Sequence, residues 1–173
     1  MTEFLDFPVP VIGFAARSGT GKTTLLRQVI SILVQRGIRV AVIKHSHHDF
    51  EIDKPGKDSY ELHHAGSCQT LLTSSYRSVL ISENRQRQEP RISEALASLD
   101  TRSIDLVLVE GFRDEPDLRK IEIYRASLAR QPLYRQTPGI IAVATDQALP
   151  DCELPLLDLN TPSQLADFIQ QTF

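Results

Sequence analysis

Apolar positions in this chain follow two patterns, short continuous runs and helical spacing. Continuous runs at residues 9–15, 38–44, 104–110 and 139–144 are typical of buried β-strands. Residues 23–34 instead repeat apolar side chains every three or four positions, which predicts an amphipathic helix. Its buried face would carry Leu25, Leu26, Val29, Ile30, Leu33 and Val34. Gly37 suits the C-terminal cap of that helix, so residues 9–44 predict a βαβ unit with two parallel strands.

Shorter patterns supply the remaining elements. We expect strands at residues 69–73, 77–82, 120–124 and 154–159, short helices at 58–64 and 92–99, and a final helix from about 161 to 171. This alternation predicts an α/β fold with a mainly parallel central sheet and helices on both faces. Residues 1–173 are expected to form a single domain, with ligands bound at the carboxyl ends of the strands.

The segment between the first strand and the first helix, residues 16–23, has the pattern of a phosphate-binding P-loop. Gly19 and Gly21 allow backbone N–H groups to point at phosphate oxygens, and the helix N-terminus adds its dipole. Lys22 can neutralise the β and γ phosphates, and the Thr23 hydroxyl can ligate Mg²⁺. Ala16 replaces the first glycine of the motif, which is tolerable if its φ is negative.

A strand, a P-loop and a helix in this order predict the three-layer P-loop NTPase fold with a nucleoside triphosphate as ligand. A tight turn with a chance lysine is the alternative. The predicted nucleotide-binding residues of the segment are Arg17, Ser18, Gly19, Thr20, Gly21, Lys22 and Thr23.

An acidic residue ends the apolar run at 104–110. If this strand neighbours the first one, Glu110 lies beside the P-loop, where it can hold Mg²⁺ through water or polarise an attacking water. Asp105 stands at the start of the same strand, far from the expected phosphates, so we favour Glu110. A solvated acid at a strand end is the alternative interpretation.

Asp146 follows the run at 139–144 and is a candidate for base recognition. Its carboxylate can accept the two donors of guanine, N1–H and the 2-amino group, and adenine lacks this donor pair. The guanine-reading loops of GTPases usually carry Asn or Thr-Lys before the Asp, and the lysine is missing here. A plain surface turn is an equally good interpretation.

The densest polar stretch, residues 44–59, begins at the carboxyl end of the second strand. Asp49 and Asp53 are candidates for holding Mg²⁺ through water. Five residues suit a second anionic ligand: Lys44, His45, His48, Lys54 and Lys57. The three nearby histidines, which include His47, do not predict a transition-metal site, because no cysteine is close. A solvated loop is the alternative, and His63 and His64 on the following helix are expected to face solvent.

Composition narrows the class of protein. A net charge of −3 and a pI of about 5.9 disfavour nucleic-acid binding, which needs a basic face. Apolar runs are too short for a membrane span of about 20 residues, and the acidic start lacks the basic region of a signal peptide. Cys68 and Cys152 are expected to be buried and reduced, as in a cytoplasmic protein.

Four strings of residues together resemble the molybdopterin-guanine dinucleotide biosynthesis protein B (MobB) family. They are residues 14–25 around the P-loop, 43–49 with the histidines, 53–59 with the sequence Asp-Lys-Pro-Gly-Lys-Asp-Ser, and 109–112. The match extends over nearly the whole chain, and the second and third strings are its most specific part. The resemblance implies a GTP-binding adaptor with Mg²⁺, weak GTPase activity and a homodimeric state. It also implies that the adaptor assists the MobA nucleotidyltransferase, which joins GMP to molybdopterin, and that the pterin cofactor is a possible ligand.

Carried onto this chain, the resemblance assigns the triphosphate and Mg²⁺ to residues 19–24, which adds Thr24, and makes Glu110 the Walker B acid. Arg17 stands where some dimeric P-loop relatives carry a lysine that reaches the partner's nucleotide. The candidate catalytic residues are therefore Lys22, Glu110 and Arg17.

Two other functions use the same scaffold. A small-molecule kinase using ATP would need an arginine-bearing lid that excludes water, which Arg85, Arg87 and Arg91 can supply. A nucleic-acid-dependent ATPase is disfavoured, because aromatic residues make up only 6% of the chain and no basic stripe accompanies them.

Overall fold

The computed structural model of the chain describes residues 5–46, 48–84, 86 and 88–172. They divide into two compact units, one formed by Met1–His45 with Arg91–Phe173 and the other by Ser46–Pro90. The single domain expected over residues 1–173 stays a prediction. No helix among the described residues is long and apolar enough to cross a membrane.

The secondary structure follows the sequence pattern closely. In chain order the elements are β1 Val11–Ala16, α1 Lys22–Gln35, β2 Val40–Lys44, α2 Asp58–His64, β3 Gln69–Thr73, β4 Ser78–Ser82, α3 Ile92–Ala97, β5 Leu106–Glu110, β6 Lys120–Tyr124, β7 Ile140–Thr145, β8 Leu156–Asp158 and α4 Pro162–Thr172. Single 3₁₀ turns at Thr101–Ser103 and Ala126–Leu128 were not expected. All strands and helices predicted from the sequence are present, and their ends lie within two residues of the predicted bounds.

The first unit is built on a six-stranded sheet in the order β2-β5-β1-β6-β7-β8, in which all neighbouring strands are parallel. The P-loop strand β1 therefore lies in the interior of the sheet, between β5 and β6. Because parallel strands end at the same edge, the residues that follow β1, β5, β6 and β7 gather around the P-loop. This arrangement confirms the predicted mainly parallel α/β sheet.

Helices cover both faces of this sheet. On one face α1 and α4 pack against Ile12, Phe14 and Leu108, and on the other α3 packs against Val107 and Val109. The predicted buried stripe of α1 is largely confirmed, with four residues buried and Ile30 partly buried. Val34 is exposed, which contradicts the prediction for that position; it lies in the last turn of α1.

The second unit contains α2 and an antiparallel hairpin of β3 and β4. Leu71 and Leu80 stand opposite each other in the hairpin, and both are exposed. His63 does not face solvent as expected, since its side chain is only 12% exposed and its Nε2 lies 2.9 Å from Glu83 Oε1. His64 is exposed, as expected. Cys68 is exposed and Cys152 is partly exposed, so the prediction that both are buried is wrong, although both are free thiols.

Candidate functional site

The P-loop has the backbone that phosphate binding requires. Gly19 and Gly21 have φ of 85° and 84°, in the left-handed region that a side chain disfavours. Gly21 is the N-cap of α1, so the first N–H groups of that helix are oriented toward the loop. Ala16 is the last residue of β1 and has extended backbone, which explains why alanine is tolerated at the position of the motif's first glycine.

Glu110 lies beside the P-loop, as expected if β1 and β5 were neighbours. In the register of these strands Glu110 stands opposite Phe14, and its Oε1 is 2.9 Å from Lys22 Nζ. The Glu110 side chain is only 16% exposed. Lys44, its register partner in β2, places Nζ 3.9 Å from the same oxygen. Two cations thus flank a half-buried carboxylate.

Asp105 has a separate role at the opposite end of β5. Its Oδ1 lies 2.6 Å from Arg39 Nη2, and hydrogen bonds from Arg39 hold the pKa of the Asp105 carboxyl down at about 2. This acid is bound into a surface ion pair away from the carboxyl ends of the strands, so it is not positioned to serve the P-loop.

The P-loop also contains a buried hydroxyl that needs a partner. Thr20 is 4% exposed, and its Oγ1 has no hydrogen-bond partner among the described residues. A cleft lined by residues 16–24 and Glu110 lies over the loop. Backbone N–H groups, Lys22, the hydroxyls of Thr23 and Thr24 and a carboxylate are the groups that a magnesium-bound triphosphate requires, so these residues fit that ligand.

The turn after Glu110 explains why glycine follows it. Gly111 has φ of 103°, and a Cβ there would lie 2.6 Å from the Cβ of His45. His45 N donates to Glu110 O at 2.8 Å, and its ring lies against Phe112 with centroids 4.7 Å apart. His45 and Lys44 therefore lie next to the carboxyl end of β5.

The other polar-loop candidates belong to the Ser46–Pro90 unit. His48, Asp49, Lys54 and Lys57 are all exposed, and their roles toward a nucleotide or a second anion stay predictions. Asp53 is engaged within its own loop, where a hydrogen bond from the Ser59 hydroxyl lowers the pKa of its carboxyl. His47, Arg85 and Arg87 lie outside the described residues, so the kinase lid predicted from Arg85, Arg87 and Arg91 stays a prediction; Arg91, the one of these arginines that the structure describes, is exposed at the N-cap of α3.

A buried carboxylate that the sequence reasoning missed anchors the loop after β6. Glu122 accepts hydrogen bonds from the backbone N–H groups of Leu133 at 2.6 Å and Tyr134 at 2.8 Å. Burial raises the pKa of Glu122, and these two bonds partly oppose that rise. The same loop receives Arg17, whose Nε donates to Gln131 O at 3.3 Å. An acid inside the apolar alternation of residues 120–124 is the sequence signal that could have identified this anchor.

Asp146 lies at the carboxyl end of β7 and is already hydrogen bonded. Its Oδ2 accepts from Arg125 Nη1 and its Oδ1 from Ala126 N, both at 3.2 Å. Arg125 Nε in turn donates to the carbonyl oxygen of Thr20 in the P-loop at 3.3 Å. Arg125 was not predicted as a site residue, and the role of Asp146 in base recognition stays a prediction.

Known proteins resemble this chain along most of its length. It is 44% identical over 162 residues to a molybdopterin-guanine dinucleotide biosynthesis adapter protein of Escherichia coli, covering 93% of this chain and 91% of that protein. The protein of the same name in Haemophilus influenzae is 42% identical over 168 residues, covering 96% and 91%.

Solved structures support the fold. A crystal structure of molybdopterin-guanine biosynthesis protein B aligns with a TM-score of 0.72 at 22% identity, covering 94% of this chain and 99% of that one. A MobB homologue from Bacillus stearothermophilus aligns with a TM-score of 0.69 at 20% identity, covering 94% and 96%. These structures have the P-loop NTPase fold, which confirms the predicted fold class.

The family model for molybdopterin guanine dinucleotide synthesis protein B matches residues 11–146. The chain therefore belongs to the molybdopterin guanine dinucleotide synthesis protein B family.

Proposed function

We propose that this protein is a GTP-binding adaptor in the biosynthesis of the molybdopterin guanine dinucleotide cofactor. The relatives in E. coli and H. influenzae are both named adapter proteins of that biosynthesis. The observation that carries the nucleotide part of the proposal is the contact between Lys22 and Glu110 over a loop with two left-handed glycines. It combines a cation for phosphates with a carboxylate for Mg²⁺ in one cleft.

Each residue of the cleft has a definite task in this proposal. Backbone N–H groups of residues 18–23 surround the phosphates, and Lys22 neutralises their charge. Thr23 and Glu110 hold Mg²⁺, directly or through water, and the bound ion supplies further charge neutralisation at the phosphates. Asp146 distinguishes guanine from adenine by accepting N1–H and the 2-amino group. Hydrolysis is slow, as the resemblance to the family implies.

The adaptor role requires further partners. Lys44 ends β2 and His45 follows it, both next to Glu110, so they offer a cationic and a hydrogen-bonding group to an anionic ligand beside the nucleotide. We infer that this ligand is the pterin cofactor, which carries a phosphate. The protein partner in the proposal is a MobA-type nucleotidyltransferase, which acts in the cytoplasm on the same cofactor.

A homodimer forms part of the same proposal. The hairpin of the second unit exposes Leu71 opposite Leu80, and an exposed apolar pair of this kind suits burial in an interface. Arg17, at the start of the P-loop, is the residue that would reach a nucleotide held by the partner copy.

The decisive experiment separates an adaptor from a kinase. Purified protein is incubated with GTP or ATP and Mg²⁺, with and without the nucleotidyltransferase, and with pterin, sugar or nucleoside acceptors. The adaptor predicts slow GTP hydrolysis that is lost in Lys22→Ala, together with a stable complex with the nucleotidyltransferase. Arg27→Ala, an exposed cation later in α1, is the control and should behave like the parent. Rapid phosphoryl transfer from ATP to an acceptor would instead establish the kinase.

A further inference from the structure

Arg125 connects two parts of the site that are far apart in the sequence. It directly follows β6, which lies between the P-loop strand β1 and the Asp146 strand β7. Its guanidinium donates from Nε to Thr20 O in the P-loop and from Nη1 to Asp146 Oδ2, at 3.3 Å and 3.2 Å. One planar group therefore binds both the phosphate loop and the candidate base-reading acid.

The contacts hold Asp146 from two sides and leave part of its side chain exposed. The Arg125 side chain is 35% exposed and that of Asp146 is 19% exposed. Ala126 N occupies the other carboxylate oxygen at 3.2 Å. A carboxylate offers about four lone-pair positions, so two acceptor positions remain after these bonds. Two is the number that the N1–H and 2-amino donors of guanine require.

Guanidinium geometry matters for this connection. Arginine presents several N–H donors in a rigid plane, so it can hold a carbonyl and a carboxylate at once. Lysine carries a compact charge on a flexible stem and does not fix two acceptors relative to each other in the same way. The loop before Asp146 lacks the lysine found in GTPase base-reading loops, and the cation that contacts Asp146 is Arg125, which follows the adjacent strand β6.

We propose that Arg125 is a positioning residue for nucleotide specificity, which fixes Asp146 relative to the P-loop so that the protein prefers guanine over adenine. This inference rests on the proposed GTP-binding function. It predicts that removing Arg125 lowers the preference for GTP over ATP rather than weakening both nucleotides equally.

The test is calorimetric titration of the full-length protein with Mg²⁺-GTP and Mg²⁺-ATP in Arg125→Met, Arg125→Lys, Asp146→Ala and the double variant Arg125→Met/Asp146→Ala. In Arg125→Met the ratio of GTP to ATP affinity should fall about ten- to a hundredfold, the effect of losing a charged hydrogen bond. Arg125→Lys should retain part of the preference. The double variant should lose no more than Asp146→Ala alone, because the two residues act through one connection.

Arg39→Met is the matched control. Arg39 likewise binds a carboxylate, Asp105, and a backbone carbonyl, Arg102 O at 3.1 Å, but at the opposite end of the strands. The Arg39→Met variant should keep the parent's ratio of GTP to ATP affinity. Thermal melting of each variant shows whether it is folded. If Arg125→Met does not fold, the GTP and ATP affinities of Arg125→Lys provide the comparison with the parent.

The outcomes distinguish a failure of the role inferred for Arg125 from a failure of the proposed GTP-binding function. A parent protein that binds neither nucleotide, or prefers ATP, would overturn the proposed function itself. A parent that prefers GTP while Arg125→Met weakens GTP and ATP by the same factor would overturn the inference alone, since Arg125 would then be a phosphate contact. Additive losses in the double variant would also overturn it.

Discussion

Replacing Glu122 by glutamine tests how a buried carboxylate supports the site. Glu122 is 2% exposed and accepts the N–H groups of Leu133 and Tyr134, one on each oxygen. The glutamine amide keeps one acceptor oxygen but directs an NH₂ group at the second N–H. One backbone donor in a buried turn thus loses its partner, which costs about 1–3 kcal/mol. For a protein of this length, a loss of about 2 kcal/mol corresponds to a fall in Tm of roughly 4–8 °C.

The pH dependence of this loss has a definite sign. Burial raises the pKa of Glu122 above its ordinary value of 4.5, so the folded state binds its proton more tightly than the unfolded state. The stability contributed by this group is complete below the ordinary pKa and declines as pH rises through the raised value. Glutamine does not titrate, so the difference in unfolding free energy between parent and Glu122→Gln should shrink as pH increases.

Urea unfolding followed by circular dichroism, at several values between about pH 2 and about pH 8, measures this difference. Asp105→Asn is a control with the opposite trend, because hydrogen bonds from Arg39 lower the pKa of Asp105 to about 2. The stability that Asp105 contributes is present above its ordinary pKa and is lost as pH falls through the lowered pKa. A Glu122→Gln penalty that grows with pH would contradict a raised pKa of Glu122, and no penalty at any pH would show that its two backbone hydrogen bonds do not stabilise the fold.

Three further predictions concern the P-loop and its surroundings. Gly111→Ala should destabilise the protein by more than the roughly 1–2 kcal/mol that a left-handed backbone alone costs, because its Cβ would lie 2.6 Å from that of His45. Gly37→Ala, with φ of 84° and open space around it, measures the backbone cost alone in the same unfolding assay, and equal losses would contradict the prediction. Glu110→Gln should retain nucleotide binding without Mg²⁺ but lose most of the gain that Mg²⁺ provides, as measured by calorimetry; an unchanged gain would remove Glu110 from the metal site. Arg17→Ala should reduce GTP turnover about tenfold or more if this arginine stabilises charge in the transition state, and turnover equal to the parent's would dismiss that role.

Elements of the fold were predictable because local sequence determines them strongly. Parallel strands buried on both faces appear as continuous apolar runs, and β5 and β7 have this pattern. The P-loop glycines were identified because the phosphate-binding backbone needs left-handed conformations at those positions. Glu110 was placed correctly beside Lys22 because its strand ends at the same edge of the sheet as β1.

What the sequence did not reveal depends on which strands are neighbours. Arg125 follows a strand with an ordinary alternating pattern, and its contacts with Thr20 and Asp146 exist only because β6 lies between β1 and β7. The burial of Glu122 was not predicted, since one strand alone does not show that both of its faces are covered. Exposure of Cys68 was missed for a related reason, because a small apolar residue in a short two-stranded unit has little core to enter.

Calorimetric titration of the parent protein and Lys22→Ala with GTP and with ATP, each with and without Mg²⁺, is the measurement on which the proposed function depends. We expect binding that favours GTP, strengthens with Mg²⁺ and disappears in Lys22→Ala, because Lys22 lies beside Glu110 in the P-loop cleft. Preference for ATP, or GTP binding that survives in Lys22→Ala, would contradict the proposed function.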